Sequence, residues 1–245
     1  MRRKGSARTW LAAAVSAAVL MLVPGPAHAD GPRQLARGYL NLHQCAYYST
    51  TATNFFTTVV PSRDGRFATG TKVSNTAETS PTCGAGDGNY RVIPERSGVK
   101  ALDLTAGRYL NLHQCVYYSS ALADHYTTVV PGSDARFAAG SRVSNTADTT
   151  PSCGPGGATY TNIPLLSGVK ALDLTAGRYV NLHQCVYFST SAINHFTTVV
   201  PSRDGRFATG TKVSSTAETT PSCGPGDGNY DPIALLSGDK ALALG

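Results

Sequence analysis

Between residues 39 and 48 the side chains alternate. Leu40, Leu42, Gln44 and Ala46 fall on one side, and Tyr39, Asn41, His43, Cys45 and Tyr47 on the other. A period of two with aromatic residues predicts a strand over 39–48. The leucine side is the expected core face, because turning the strand over would bury Asn41 and His43. Cys45 then lies on the polar side, which suits a staple pinning a loop across the sheet. Farther on, Phe55 to Val60, a turn at Pro61 to Gly65 and Arg66 to Val73 predict a hairpin with Phe67, Thr69, Thr71 and Val73 on one face. Residues 74–90, rich in Ser, Thr, Asn, Pro and Gly, predict a long polar loop around Cys83. Short strands are expected over 90–93 and 99–104, and no helical periodicity follows residue 30.

The pattern recurs. YLNLHQC at 39–45 returns at 109–115 and, with one Leu become Val, at 179–185. A period found by direct comparison outranks a domain count based on length. It divides the chain into repeats at 30–104, 105–174 and 175–245. Four residues, Thr-Ala-Gly-Arg, join Leu104 to Tyr109 and Leu174 to Tyr179, with no flexible or stiff linker. The expected fold is all-β: three tandem, small, disulfide-stapled β-sandwich-like repeats, with one pseudo-threefold β body as the alternative. In the second repeat Ala135 replaces Gly65 and Gly132 replaces Ser62, so the turn is expected not to need one fixed left-handed position.

Each repeat holds two cysteines 38 residues apart. Six cysteines allow fifteen pairings, and the repeat selects Cys45 with Cys83, Cys115 with Cys153 and Cys185 with Cys223. Closing a loop of that length stabilises by about 4 kcal/mol in the chain-entropy model. A unit of about 70 residues is marginal alone, so such a clip matters.

Composition changes the picture at the N-terminus. Arg2, Arg3, Lys4 and Arg8 precede an apolar run from Trp10 to Val23, and Ala27-His28-Ala29 supplies small residues for cleavage. Residues 1–29 read as a secretory signal cut after Ala29, which predicts a secreted, extracellular chain without a membrane span. The formal charge of the whole chain is +6, but four of its 21 Lys and Arg lie in that segment. The remainder carries 17 basic against 15 acidic residues, and with no basic stripe the expectation is no nucleic-acid partner.

Candidate chemistry is sparse. His43, Cys45 and Cys83 could be combined into a zinc site, but thiolates in an exported chain oxidise, so no metal and no cofactor are expected. The same bridge ties up any Cys-His nucleophilic pair. Asp87-Gly88-Asn89 looks like part of a calcium loop, yet the second repeat reads Gly157-Ala158-Thr159 there. No catalytic residue is assigned. A hydrolase pairing His43 with Asp64 is the enzyme alternative. The ligand-binding candidates are the polar and aromatic strand face and its copies: Tyr39, Asn41, His43 and Tyr47; Tyr109, Asn111, His113 and Tyr117; Tyr179, Asn181, His183 and Tyr187. The bland alternative is that these tyrosines pack under the pinned loop.

Leu104-Thr105-x-Gly107, Tyr109 and Gln114-Cys115, followed by a Val-rich hairpin and a later Cys, have counterparts in the third repeat. Tyr39 and Gln44-Cys45 match in the first. This arrangement resembles the neocarzinostatin and macromomycin family of secreted enediyne-antibiotic apoproteins. The resemblance implies an immunoglobulin-like β-sandwich with a ligand cleft, no enzymatic site, and Cys45, Cys115 and Cys185 in disulfides near the cleft. Together these readings predict a secreted, non-catalytic protein binding a small hydrophobic molecule, a glycan or a protein, its three linked sites gaining avidity. A structural role with self-association is the alternative of another class.

Overall fold

Strand β1, Tyr39–Ser49, is the axis of the first repeat in the computed structural model, which describes residues 38–245 apart from 52–53, 69, 87, 134, 138–139, 190, 192–193 and 209. The signal reading, 1–29, falls outside the described residues. The N-terminal half of β1 pairs antiparallel with β3 (Lys72–Ser74) and β5 (Gly98–Asp103). Its C-terminal half pairs with β2 (Asn54–Thr58) and β4 (Tyr90–Val92). Four short partners thus satisfy the backbone groups of one long strand. The second repeat builds the same sheet from β6 (Tyr109–Ser119), β7 (Asp124–Thr128), β8 (Arg142–Ser144), β9 (Thr161–Asn162) and β10 (Gly168–Asp173). The third uses β11 (Tyr179–Ser189), β12 (Asn194–Thr198), β13 (Lys212–Ser214), β14 (Tyr230–Pro232) and β15 (Gly238–Ala243). The chain is therefore all-β and three times repeated. Each repeat carries the expected bridge, Cys45–Cys83, Cys115–Cys153 and Cys185–Cys223, with 5.6 Å between Cα atoms in all three.

The expected hairpin does not form as such. β2 and β3 both pair with β1 and not with each other. The backbone groups a hairpin ladder would use are already taken: Thr71 Oγ1 donates to Val59 O at 2.6 Å, Thr58 Oγ1 donates to Val60 O, and the Val59 amide leaves the repeat altogether. The turn at 62–65 holds a second difference. Gly65 and Gly205 have φ of 72° and 73°, and Ala135 is held at 59° in their place. The left-handed position is required after all, and the second repeat meets it with a residue that pays for its Cβ. Ala135→Gly should stabilise the chain by about 1 kcal/mol in urea unfolding; a loss of stability would contradict the strained assignment.

The three sheets share one core. Six buried residues come from each repeat: Leu40, Leu42, Val59, Val60, Leu102 and Leu104, then the same six places in the second and third. β2, β7 and β12 lie against one another in all three pairings. The described residues belong to one compact unit, so the pseudo-threefold body is the arrangement the three repeats adopt.

Two kinds of polar and backbone contact recur at every joint. The buried Gln44 accepts the amide of Val129 at 2.9 Å through Oε1 and donates to Arg96 O at 3.2 Å through Nε2. Gln114 does the same with Val199 N and Leu166 O, and Gln184 closes the cycle on Val59 N at 2.8 Å and Leu236 O. Beside each glutamine a glycine lets two backbones touch. A Cβ on Gly98 would lie 2.2 Å from Pro131 O, one on Gly168 2.0 Å from Pro201 O, and one on Gly238 1.9 Å from Pro61 O.

One joint differs from the other two. Leu166 and Leu236 pack into the aromatic cluster of the following repeat. At the first joint the corresponding residue is Arg96, whose guanidinium carbon lies 5.5, 5.9 and 5.1 Å from the ring centres of Tyr126, Phe137 and Tyr160. Asp124, buried and bonded by Tyr160 Oη at 3.0 Å, stands within electrostatic reach; burial pushes its carboxyl up and Arg96 draws it back. The other repeats carry Asn54 and Asn194 at that place in the sequence. Arg96→Leu should therefore cost about 2 kcal/mol, and Asp124→Asn in the same chain should recover at least half of it. Equal losses with and without Asp124→Asn in a double-mutant cycle would contradict this pairing.

Candidate functional site

The polar face of β1 is roofed by the loop that Cys83 anchors. Asn41 Nδ2 donates to Ser74 Oγ at 2.9 Å and Thr76 O at 3.0 Å, while its Oδ1 accepts from Glu78 N at 3.0 Å. His43 Nδ1 accepts from Thr82 N at 2.8 Å, and Tyr47 Oη donates to Gly84 O at 2.9 Å. Asn111, His113 and Tyr117 hold the second loop through the same atoms, and Asn181, His183 and Tyr187 the third. Asn41, His43 and Tyr47 are fully buried, as are their copies. The expectation that one strand face would look outward is thus corrected: both faces are interior, one against the shared core and one against its own loop. Tyr39, Tyr109 and Tyr179 are half-buried and are the members of the twelve-residue set that reach the surface.

Sequence reasoning missed the partner of each strand histidine. Glu78 Oε2 lies 2.5 Å from His43 Nε2, and Glu218 Oε2 lies 2.5 Å from His183 Nε2. In the second repeat Asp148 Oδ2 stands 3.0 Å from His113 Nε2. A cation braces each carboxylate: Lys72, Arg142 and Lys212 in turn. The signal was in the sequence, since Glu with Lys changes to Asp with Arg in the middle repeat, a shorter acid meeting a longer base. Asp64, the partner considered for His43, serves its own turn, accepting from Ser62 Oγ at 2.7 Å and Arg66 N at 3.1 Å.

Because each Nδ1 accepts from a backbone amide, the ring proton sits on Nε2, facing the carboxylate. Burial holds the His43 and His113 rings below their ordinary value near 6.5. Lys72 holds Glu78, and Arg142 holds Asp148, below the usual carboxylate range. A histidine whose folded pKa is depressed contributes stability above the unfolded value that is lost as pH falls through the folded one. Protonating Nδ1 would also break its bond to the loop. The urea midpoint should therefore be lower at pH 5 than at pH 7.5, and fall again as the carboxylates titrate. A midpoint level or rising on acidification would contradict the assigned tautomer.

Cys45 and Cys83 are bonded to each other, so they are not available to join His43 around a metal. Among the described residues no group of three His, Cys, Asp or Glu is placed to hold a metal ion, and no helix is long and apolar enough to cross a membrane. Two recesses open to solvent lie among the described residues. One, on the first repeat, is lined by Gly38, Tyr39, Asn75, Asp103 and Thr105. The other, where the third repeat meets the first, is lined by Arg63, Pro221, Cys223, Pro232, Ala234 and Ser237.

Comparison with protein-family models, with curated proteins and with solved structures finds no match. Of the resemblance to the enediyne apoproteins, what the structure carries is three repeated β-sheet units, each with one disulfide.

Proposed function

We propose that the chain is a secreted, non-catalytic recognition protein whose three repeats each present a tyrosine-bearing rim on one body with a shared core. The observation that carries this reading is the division of the strand face. Its Asn, His and inner Tyr are engaged by the loop, while Tyr39, Tyr109 and Tyr179 stay half-exposed at the same place in each repeat. A ring with one wet edge beside polar neighbours suits a glycan or a polypeptide better than an enclosed hydrophobic compound. Three such places on one body gain avidity without new contacts. The N-terminal segment and the three disulfides support export.

The test is a binding screen of residues 30–245 against cell-wall polysaccharides, glycan arrays and extracellular proteins. Any binding found should weaken at least about tenfold when Tyr39, Tyr109 and Tyr179 are changed together to Ala, with the unfolding midpoint kept. Binding indifferent to the three tyrosines would overturn the assignment. So would a hydrolytic activity abolished by His→Ala at 43, 113 and 183 in a variant that remains folded.

A further inference from the structure

The three repeats supply an internal comparison at the tyrosine rim. In the second, Arg108 stands before Tyr109, its guanidinium carbon 5.2 Å from the ring centre, and grips Asp173. Nε is 3.1 Å from both carboxylate oxygens and Nη2 is 2.6 Å from Oδ2. Asp173 is prepared for this by Thr175, whose amide and hydroxyl both donate to Oδ1, at 3.0 and 2.6 Å. Tyr109 and Asp173 are directly opposed across the β6–β10 ladder.

The first repeat carries the same pair, and among the described residues no arginine is paired with it. Tyr39 and Asp103 are opposed in the same register, and Thr105 donates to Asp103 Oδ1 from its amide at 2.9 Å and its hydroxyl at 2.6 Å. Those two bonds hold the Asp103 carboxyl below its ordinary range, and the group is fully exposed. The residue before Tyr39 is Gly38, and a Cβ there would lie 2.6 Å from Ser74 O, so no side chain enters from that position. What remains is the recess lined by Tyr39, Asn75, Asp103 and Thr105. The third repeat shows the converse: Arg178 precedes Tyr179, and the residue opposite that tyrosine is Ala243. Among the described residues, one repeat thus carries an acid without its arginine and another an arginine without its acid.

We propose that the Tyr39–Asp103 recess is a seat for a guanidinium group, taken in the way Asp173 and Tyr109 take Arg108. The chemistry is specific to that group: a planar cation pairs two donors with one carboxylate while lying over a ring, which an ammonium cannot do. This inference rests on the recognition reading and names the ligand chemistry of one of its three rims. Three sources of the group are distinguishable: a separate arginine-bearing ligand, the chain's own Arg33 or Arg37, and Arg178 of a second copy.

The test is a nuclear magnetic resonance titration of residues 30–245 with N-acetylarginine methylamide, reading the Thr105 amide and the Tyr39 ring. Saturable shifts at both are expected, with no shift at Thr175, a dissociation constant at least about threefold smaller than for the lysine analogue, and loss of the response in Asp103→Asn. A wild-type chain that is silent, with a response appearing in Arg33→Ala/Arg37→Ala, assigns the seat to the chain's own segment. Shifts at Thr105 that follow protein concentration and vanish in Arg178→Ala assign it to a second copy. Equal responses to arginine and lysine, or none in any of these chains, overturn the proposal. Those results would leave tyrosine-dependent binding of a glycan or protein untouched, so the two failures are separable.

Discussion

A chain that stops at Leu174 should not fold as a monomer. At micromolar concentration it is expected to show a collapsed, poorly dispersed spectrum or to sediment as an oligomer, rather than to unfold cooperatively as two-thirds of the original. Truncation removes six of the 18 core residues and opens two of the three joints, uncovering the core faces the first and second repeats had turned to the third. It strips Gln114 of the Val199 amide and leaves the Val59 amide without Gln184, so buried polar groups lose partners along with the apolar ones. An unpaired buried donor costs about 1–3 kcal/mol, and burying one aliphatic side chain contributes about 2 kcal/mol. Losses of this size are comparable with the stability of an ordinary domain, about 5–15 kcal/mol. Two repeats that unfold reversibly and cooperatively as a monomer would show that the shared core is not what holds them.

Gly238→Ala should be among the most damaging single substitutions in the chain. The added carbon would meet Pro61 O at 1.9 Å, and the obstacle is a backbone carbonyl of the first repeat that cannot swing aside as a flexible side chain would. We expect a loss of at least about 3 kcal/mol, at the upper end of what overpacking does, because the two repeats must move apart as bodies. Gly98→Ala and Gly168→Ala should follow closely, their obstacles being Pro131 O and Pro201 O. Gly228→Ala, with nothing within 4 Å, is the control and should shift stability by less than about 0.5 kcal/mol. Comparable losses at Gly228 and Gly238 in denaturant unfolding would show that backbone freedom, not contact between repeats, governs these positions.

The parts of this fold that were legible in the sequence are the ones that depend on neighbours or on counting. Alternation marked β1 to within a residue, and the step of 70 selected the disulfides. Gln44 was visible only as a polar residue on the leucine side. Its partner is the Val129 amide, 85 residues away, and no local pattern announces such a bond. Residues 74–90 read as a polar loop, which is correct in composition but misses that they form the roof over His43. The hydrogen bonds run from side chains of the strand to backbone of the loop, so the loop's own side chains carry little trace of them. The candidate site was legible in the same partial way: the tyrosine at the rim could be named, but its neighbours Asp103 and Thr105 come from the end of the repeat and were read as strand and connection.

The joint between repeats is head-to-tail, and a turn of one third, applied three times, returns to the start. Geometry of this kind makes no demand on the covalent links between copies. Three separate chains of about seventy residues, each with its glutamine, glycine and proline, would find the same ring as a homotrimer. Tethering them in one polypeptide fixes stoichiometry and also lifts the identity that symmetry imposes on a homotrimer. Arg96 at one seam, and the rim that reads glycine, arginine and arginine in successive copies, are differences that only a fused gene can keep.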